Sequence, residues 1–259
     1  MIKTLDSYYE DAIIKFLKED SYKNLYLLAN IEFHGFNAPY LKIWGEFNND
    51  SKLIAILIKI NNFFLCSANS NFSYEKFANI ISSSTYTTLC GETSTLERIK
   101  PFIDFIFIET STLSVIDNTK KLITSRKNLQ EIQFGHGNKI AELSNLIDDF
   151  PNIPYTANKL DLDILTQRVK GYCIFDNIGN IICMAQLLLD TDDYGIIVSV
   201  ATHPNFRCRG YASMCVSQLI KTYISKGKSF ALTYTNKQAG NIYHSLGFKD
   251  VCSWSFISN

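Results

Sequence analysis

The sequence has 259 residues, enough for two domains of ordinary size, and 46% of them are hydrophobic, so each half can bury its own core. Lysine and arginine together number 25, as do aspartate and glutamate, and this neutral balance argues against nucleic acid or an anionic membrane surface as a general partner. The seven cysteines are odd in number and lack metal-site spacing, so we expect reduced thiols and no metal.

The N-terminal segment, residues 1–20, mixes acidic and basic residues with apolar ones, unlike a secretory signal peptide, and we therefore expect a cytoplasmic protein. The longest aliphatic run, Leu53 to Ile58, is far shorter than the roughly twenty apolar residues that span a bilayer. We expect no membrane segment.

Hydrophobic periodicity predicts a mixture of helices and strands in the first half of the chain. The predicted helices cover Tyr8 to Leu17, Leu25 to Phe33, Tyr74 to Ile81, and Leu96 to Phe102. The predicted strands cover Leu41 to Phe47, Leu53 to Ile60, Phe63 to Ser67, a short segment ending at Cys90-Gly91, and Phe105 to Glu109. We predict a mixed α/β domain over residues 1–125.

A second series of elements begins near Leu129, which places the domain boundary near residue 125 and a second domain over residues 126–259. Helices are predicted over Ile140 to Phe150 and Leu160 to Val169, separated by a break at Pro151 and Pro154. A hairpin follows, with strands over Tyr172 to Phe175 and Ile181 to Leu189.

A strand, a loop and a helix come next. Gly195 to Val200 is a β-branched strand, and the apolar positions from Tyr211 to Ile224 keep a helical period, with Gly227 suited to the C-terminal cap. The start of a helix presents unpaired N–H groups and a partial positive charge, so it attracts an anion. The segment Arg207-Cys208-Arg209-Gly210-Tyr211-Ala212 adds two cationic side chains, and Gly210 lets the backbone approach a ligand.

By itself, the pattern Arg-x-x-Gly-x-Ala also fits an ordinary strand–loop–helix connection with solvated arginines. The sequence that follows decides between these interpretations. A strand from Phe230 to Tyr234 leads into a helix that begins near Asn236 and includes Ala239, Ile242-Tyr243 and Leu246-Gly247-Phe248.

In order and spacing, these segments resemble the signature segments of the GNAT superfamily of acetyltransferases, over about residues 172 to 259. The resemblance implies the acyl-CoA N-acyltransferase fold, an α/β (mixed α+β) arrangement with a central, mostly antiparallel twisted sheet flanked by helices. The tail is also similar to an uncharacterised group of these proteins that has an extra N-terminal domain. The first half lacks a comparable loop, but its element order suggests a degenerate, cofactor-free copy and hence two tandem GNAT-like domains.

The resemblance also implies the site residues. The pyrophosphate of acyl-CoA would lie on the backbone amides of the segment from Arg207 to Ala212, and the pantetheine arm would pair with Val198, Ser199 and Val200. Asn236 would contact the cofactor arm, and Tyr243 would lie near the thioester sulfur as the general acid. The alternative for Tyr243 is a core aromatic residue with a bonded hydroxyl. Cys208, between two arginines, is also a candidate reactive thiol.

The implied function is an acetyl-CoA-dependent N-acetyltransferase in which a primary amine of an unknown acceptor attacks the thioester directly. A backbone N–H near Val200 would stabilise the oxyanion. An unperturbed phenol has a pKa near 10 and an unperturbed thiol has a pKa near 8.5, so small shifts would make the two pKa values equal. The general base stays open among five candidates: Asp190, Asp192, Asp193, Tyr194 and Gln186.

Two other functions are compatible with the fold. One is a non-catalytic acyl-CoA-binding or protein-interaction module, which the presence of Tyr243 and the complete loop oppose. The other is aminoacyl transfer from tRNA, which the neutral charge balance opposes. The first domain would either wall the acceptor pocket or mediate homodimerisation. The four histidines, His34, His136, His203 and His244, are too scattered for a metal site and fit solvated or capping roles.

Overall fold

The computed structural model describes residues 1–69, 71–124, 129–148, 150, 156–225 and 227–259. The chain forms two compact units, one made of Met1–Leu113 with Asp250–Asn259, the other of Ser114–Lys249. The domain boundary predicted near residue 125 and the break predicted at Pro151 and Pro154 adjoin or fall on residues outside the described ranges. Both stay predictions.

The first unit contains six strands and four helices among its described residues, with part of a seventh strand. In chain order they are β1 (Ile2–Leu5), α1 (Glu10–Lys18), α2 (Leu25–His34), β2 (Leu41–Phe47), β3 (Leu53–Ile60), β4 (Phe63–Ala68), α3 (Tyr74–Ser82), β5 (Thr88–Glu92), α4 (Thr93–Ile99) and β6 (Phe107–Ile116). The last residues of β6 belong to the second unit. Most of the last strand of the chain belongs to the first unit.

The second half of the chain repeats the same order of elements. They are β7 (Leu129–Glu131), α5 (Gly137–Ser144), α6 (Ala157–Leu165), β8 (Lys170–Phe175), β9 (Ile181–Leu188), β10 (Tyr194–Thr202), α7 (Tyr211–Tyr223), β11 (Ser229–Tyr234), α8 (Lys237–Leu246) and β12 (Lys249–Ser258). In each half of the chain one strand, two helices, three strands, a helix, a strand, a helix and a final strand follow one another.

The strands pair in the same way in both units. The order β1-β2-β3-β4-β5 has three antiparallel pairs and one parallel pair, β4 with β5, and the order β7-β8-β9-β10-β11 has three antiparallel pairs and one parallel pair, β10 with β11. The last strand, β12, pairs antiparallel with β5 and so extends the sheet of the first unit. The predicted mixed α/β class with mostly antiparallel strands is confirmed.

The sheet of the second unit is covered on both faces. Ala185 and Leu187 on β9 pack in a core cluster with Val216 and Leu219 of α7, while Met184 packs in another cluster with residues of α5 and α6. Successive side chains of a strand point to opposite faces, so one apolar strand serves both cores. Each fully buried aliphatic side chain contributes about 1.5–3 kcal/mol to folding.

Several elements differ from the predictions. Helix α4 spans Thr93–Ile99 instead of Leu96 to Phe102, strand β6 spans Phe107–Ile116 instead of Phe105 to Glu109, and helix α6 spans Ala157–Leu165 instead of Leu160 to Val169. The strand β1 was not predicted, since its four residues are a strand only by pairing with β2. Helix α5 ends at Ser144, whose hydroxyl donates to the Ile140 carbonyl, instead of reaching residue 150. Helix α7 ends at Tyr223, and Gly227 lies beyond its cap at Ile224. No helix among the described residues is both long and apolar enough to cross a membrane.

Candidate active site

The two parallel strands of the second unit diverge. Pairing joins Tyr194 through Ile196 of β10 to Ser229 through Ala231 of β11, although β10 continues to Thr202 and β11 to Tyr234. Past Ile196 the facing backbone edges no longer pair with each other. In sheets of this kind ligands bind beyond the carboxyl ends of parallel strands, and the gap leaves room for an extended ligand.

A β-bulge lies at the same place in β10. Val198 is opposite Gln186 on β9 and Ala201 is opposite Met184, so β10 has one residue more than β9 across this interval. Ser199, inside the bulge, has a left-handed backbone with φ of 51°. A bulge leaves backbone groups out of the ladder. The residues predicted to contact the pantetheine arm, Val198, Ser199 and Val200, are the residues of this bulge.

The loop after β10 ends at the start of α7. Gly210 is the N-terminal cap residue of α7 and has φ of 75°, a conformation that favours glycine. A Cβ atom built on Gly210 would meet only Met214 Cε, at 4.0 Å, so the space in front of the helix is open. Cys208 also has a left-handed backbone, with φ of 60°, and is exposed. Tyr211 and Ala212 are half-buried and pack against the core cluster under α7.

Both arginines of the loop are exposed and bond to its own backbone. Arg207 Nε donates to the Thr202 carbonyl at 3.3 Å, and Arg209 Nη2 donates to the Asn205 carbonyl at 3.2 Å. The Arg209 guanidinium also lies 5.1 Å from the centre of the Phe206 ring. Neither arginine forms a salt bridge among the described residues, so their charge is available at the start of α7.

Tyr243 lies on α8 and is 6% exposed. Its ring centre is 5.7 Å from that of Tyr234 and 5.6 Å from that of Phe248. It belongs to the core cluster that also contains Cys183 of β9, and Val200 of the bulge packs against the same cluster. No described residue forms a hydrogen bond with the Tyr243 hydroxyl, and both interpretations of Tyr243, the general acid and the core aromatic residue, stay predictions.

Burial raises the pKa of Tyr243 above its ordinary value of 10, and negative charge on Cys183 raises it further. The sequence argument expected shifts that make the pKa values of phenol and thiol level. The structure corrects that expectation for the phenol, because the buried ring environment disfavours the phenolate. Tyr243 is therefore protonated throughout the physiological pH range.

The family model of the GNAT acetyltransferase family matches residues 47–257 of the chain, which include the bulge, the loop, α7 and α8. The chain belongs to the GNAT acetyltransferase family. The match also includes most of the first unit, which the resemblance over residues 172 to 259 did not reach.

Solved structures share this fold at low sequence identity. An X-ray structure of a Drosophila protein has a TM-score of 0.67 at 9% identity, covering 100% of this chain and 98% of its own. A GCN5-related N-acetyltransferase from Sphaerobacter thermophilus has a TM-score of 0.59 at 12% identity, covering 100% and 95%. A tandem GNAT protein from the clavulanic acid biosynthesis pathway has a TM-score of 0.57 at 9% identity, covering 100% and 98%. No curated protein matches this chain.

Asn236 of this GNAT acetyltransferase is the N-terminal cap of α8. Its side-chain oxygen accepts a hydrogen bond from the Ala239 N–H at 2.8 Å, and the residue is exposed. The sequence implied a contact between Asn236 and the cofactor arm. That contact stays a prediction, and it would fall to the side-chain amide group, since the oxygen caps the helix.

Four of the five candidate bases lie at the far end of β10. Asp190 pairs with the buried Lys228 and with Lys170, whose Nζ is 2.7 Å from Asp190 Oδ2, and it belongs to the turn that precedes β10. Asp192, Asp193 and Tyr194 are at the same end. From Tyr194 to Val200 the strand advances about 20 Å, at about 3.3 Å per residue. These four residues are too far from the bulge to deprotonate an amine there.

Gln186 is the candidate that lies beside the bulge, because it is opposite Val198. It is 4% exposed, and its Nε2 has no hydrogen-bond partner among the described residues. A signal was present in the sequence, since Gln186 stands in an otherwise apolar strand, Ile181–Leu188. An amide does not accept a proton at neutral pH, so Gln186 fits a hydrogen-bonding role, and the base stays unassigned.

The histidines agree with the capping interpretation at His203, whereas the His136 side chain accepts from a residue that precedes α5. His203 Nδ1 accepts from the Asn205 N–H and His136 Nδ1 accepts from the Gln133 N–H, each at 3.2 Å. In the described part of the chain, no group of three His, Cys, Asp or Glu residues could hold a metal ion. The expected lack of a metal stays a prediction.

Proposed function

We propose that this protein is an acetyl-CoA-dependent N-acetyltransferase whose second unit transfers an acetyl group to a primary amine. One observation supports the proposal above all: the divergence of β10 and β11, the bulge at Ser199 and the open start of α7 occur together in a member of the GNAT acetyltransferase family. A cytoplasmic location is part of the proposal.

The residues at the start of α7 suit the pyrophosphate of coenzyme A. The first N–H groups of a helix lack acceptors within the helix and attract negative charge. Gly210 places no side chain in front of them, and Arg207 and Arg209 add two exposed positive charges. We expect the phosphates to bind to the backbone from Arg207 to Ala212, Cys208 and Tyr211 included.

The bulge suits the pantetheine arm. The arm contains amide groups, and an extended chain with amides can pair with an unpaired strand edge as an added strand would. The backbone of Val198, Ser199 and Val200 provides such an edge, because it faces the gap between β10 and β11. When bound, coenzyme A supplies a thioester, which activates the acetyl group toward an amine.

Two groups of this chain would assist the transfer. A backbone N–H near Val200 would donate to the carbonyl oxygen as negative charge develops on it, and a donor already in place costs no reorganisation. Tyr243 would give its proton to the sulfur. Burial raises the pKa of a thiol as it does that of a phenol, so a sulfur in the same cleft remains a proton acceptor for Tyr243.

The first test is calorimetric titration of acetyl-CoA into the wild-type protein and into Gly210→Glu. The new carboxylate would stand in front of α7, where it obstructs and repels the pyrophosphate. We expect the substitution to weaken binding by tenfold or more, or at least about 1.4 kcal/mol. The matched control is Gly227→Glu, since Gly227 also has a left-handed backbone (φ of 90°) and open space around it.

Binding that Gly210→Glu abolishes and Gly227→Glu preserves supports the cofactor site. Screening of amines for acetyl transfer then tests the reaction. Binding without turnover of any amine, under conditions in which the protein is folded, would favour the non-catalytic acyl-CoA-binding module. Wild-type protein that does not bind acetyl-CoA would contradict the proposal.

A further inference from the structure

The first unit contains a cavity of about 450 Å³ at the carboxyl ends of its own parallel strands. Pairing between β4 and β5 ends at Cys66 and Gly91, and the cavity is lined by the last residue of each strand, Ala68 and Glu92. The element order places it where the second unit has the gap between β10 and β11. Its volume lies within the range of small-molecule sites.

The lining of this cavity is polar and carries a net positive charge. Lys23, Arg98 and Glu92 contribute two cations and one carboxylate, with Lys23 Nζ 3.3 Å from a carboxylate oxygen of Glu92. The hydroxyl of Thr95 and the amide of Asn69 also belong to the lining. An arginine and a lysine together in a concave site favour oxyanions such as carboxylate and phosphate groups.

The ligand is not acyl-CoA, because the first unit has closed the corresponding anion site at the start of α3. The carboxyl group of Glu46 accepts hydrogen bonds from the Ser73 N–H and the Ser73 hydroxyl, each at 2.6 Å, and Glu46 is 8% exposed. A pyrophosphate placed there would meet this carboxylate. Strand β4 also lacks a bulge, since its register with β3 is continuous from Ala68 to Phe63.

We propose that this cavity of the first unit binds a small organic anion, with carboxylate or phosphate groups held by Lys23 and Arg98. The proposal goes beyond acetyl transfer and concerns residues that lie outside the second unit.

Calorimetric titration of the full-length protein tests the proposal with three probes: succinate, citrate and inorganic phosphate. We expect saturable binding of at least one probe with a dissociation constant of millimolar or tighter. Arg98→Gln and Lys23→Gln should each weaken that binding tenfold or more. Lys52→Gln is the control, since it removes one positive charge from the same unit at an exposed pair with Glu19.

The probes distinguish the two possible anionic groups. Binding of succinate or citrate alone identifies a carboxylate site, and binding of phosphate alone identifies a phosphate site. Binding of no probe, or binding that the Arg98 and Lys23 substitutions leave unchanged, would overturn the proposal. Acetyl-CoA titrated into Arg98→Gln should bind as in wild type, and citrate titrated into Gly210→Glu should do likewise. Failure of the anion site and failure of the cofactor site are thus distinguishable.

Discussion

Removal of one oxygen atom, in Tyr243→Phe, tests the proposed acid of the reaction. The ring packs against Tyr234 and Phe248, and phenylalanine preserves this packing. The hydroxyl has no hydrogen-bond partner among the described residues, so no bond is lost with it. Because a buried hydroxyl without a partner carries a desolvation cost, we expect the free energy of unfolding to stay unchanged or to rise by about 1 kcal/mol.

The expected effect on turnover is much larger. General acid catalysis typically contributes about 10²- to 10⁴-fold, so kcat for acetyl transfer should fall by about a hundredfold or more, or about 2.7 kcal/mol in activation free energy. The dissociation constant of acetyl-CoA should be unchanged, because the Tyr243 hydroxyl would act only on the sulfur. Steady-state kinetics with an amine substrate and calorimetry measure both quantities.

The pH profile provides a second readout. Burial raises the pKa of Tyr243, so its proton is present at all pH values up to its ordinary pKa of 10 and is lost only above that. We therefore expect no loss of wild-type kcat from this group between pH 7 and pH 9. Tyr223→Phe serves as the control, since its hydroxyl donates to Glu131 at 3.1 Å outside the cleft. A Tyr243→Phe enzyme with wild-type kcat would refute the assignment.

Two further predictions concern the second unit. Asp190→Asn removes the carboxylate that pairs with the buried Lys228 and leaves it the hydrogen bond to the Thr191 carbonyl, so we expect a loss of about 3 kcal/mol in unfolding free energy by urea titration; a loss below about 1 kcal/mol would contradict the structural role. Cys208 is the exposed cysteine, so a thiol-reactive probe should label it fastest and acetyl-CoA should protect it; equal labelling of Cys252, or no protection, would contradict this prediction.

Local sequence patterns predicted most of the elements around the site. The helix α8 follows from its apolar period and from its two ends, Asn236 as the N-terminal cap and Gly247, with φ of 104°, as the C-terminal cap. The strand–loop–helix segment through Gly210 was predictable for the same reason, since a glycine before a periodic helix marks its start. These signals involve only a few neighbouring residues, so they can be recognised in the sequence without knowledge of the fold.

The pairing partners of strands were not predictable in this way. Strand β12 follows α8 along the chain, yet it pairs with β5 of the first unit, about 160 residues earlier. Nothing in the sequence from Lys249 to Ser258 distinguishes this partner from another strand edge, because the unpaired N–H and C=O groups of any strand edge can accept a new strand.

The sequence by itself determined the order of the elements, the anion-attracting segment from Arg207 to Ala212 and the family resemblance, because local periodicity and turn chemistry encode them. The tertiary structure decided which residues meet at the cleft. Tyr194 is near Val200 in sequence but lies about 20 Å away along an extended strand, whereas Gln186 reaches the bulge through strand pairing. The burial that raises the pKa of Tyr243 likewise depends on packing between elements distant in sequence.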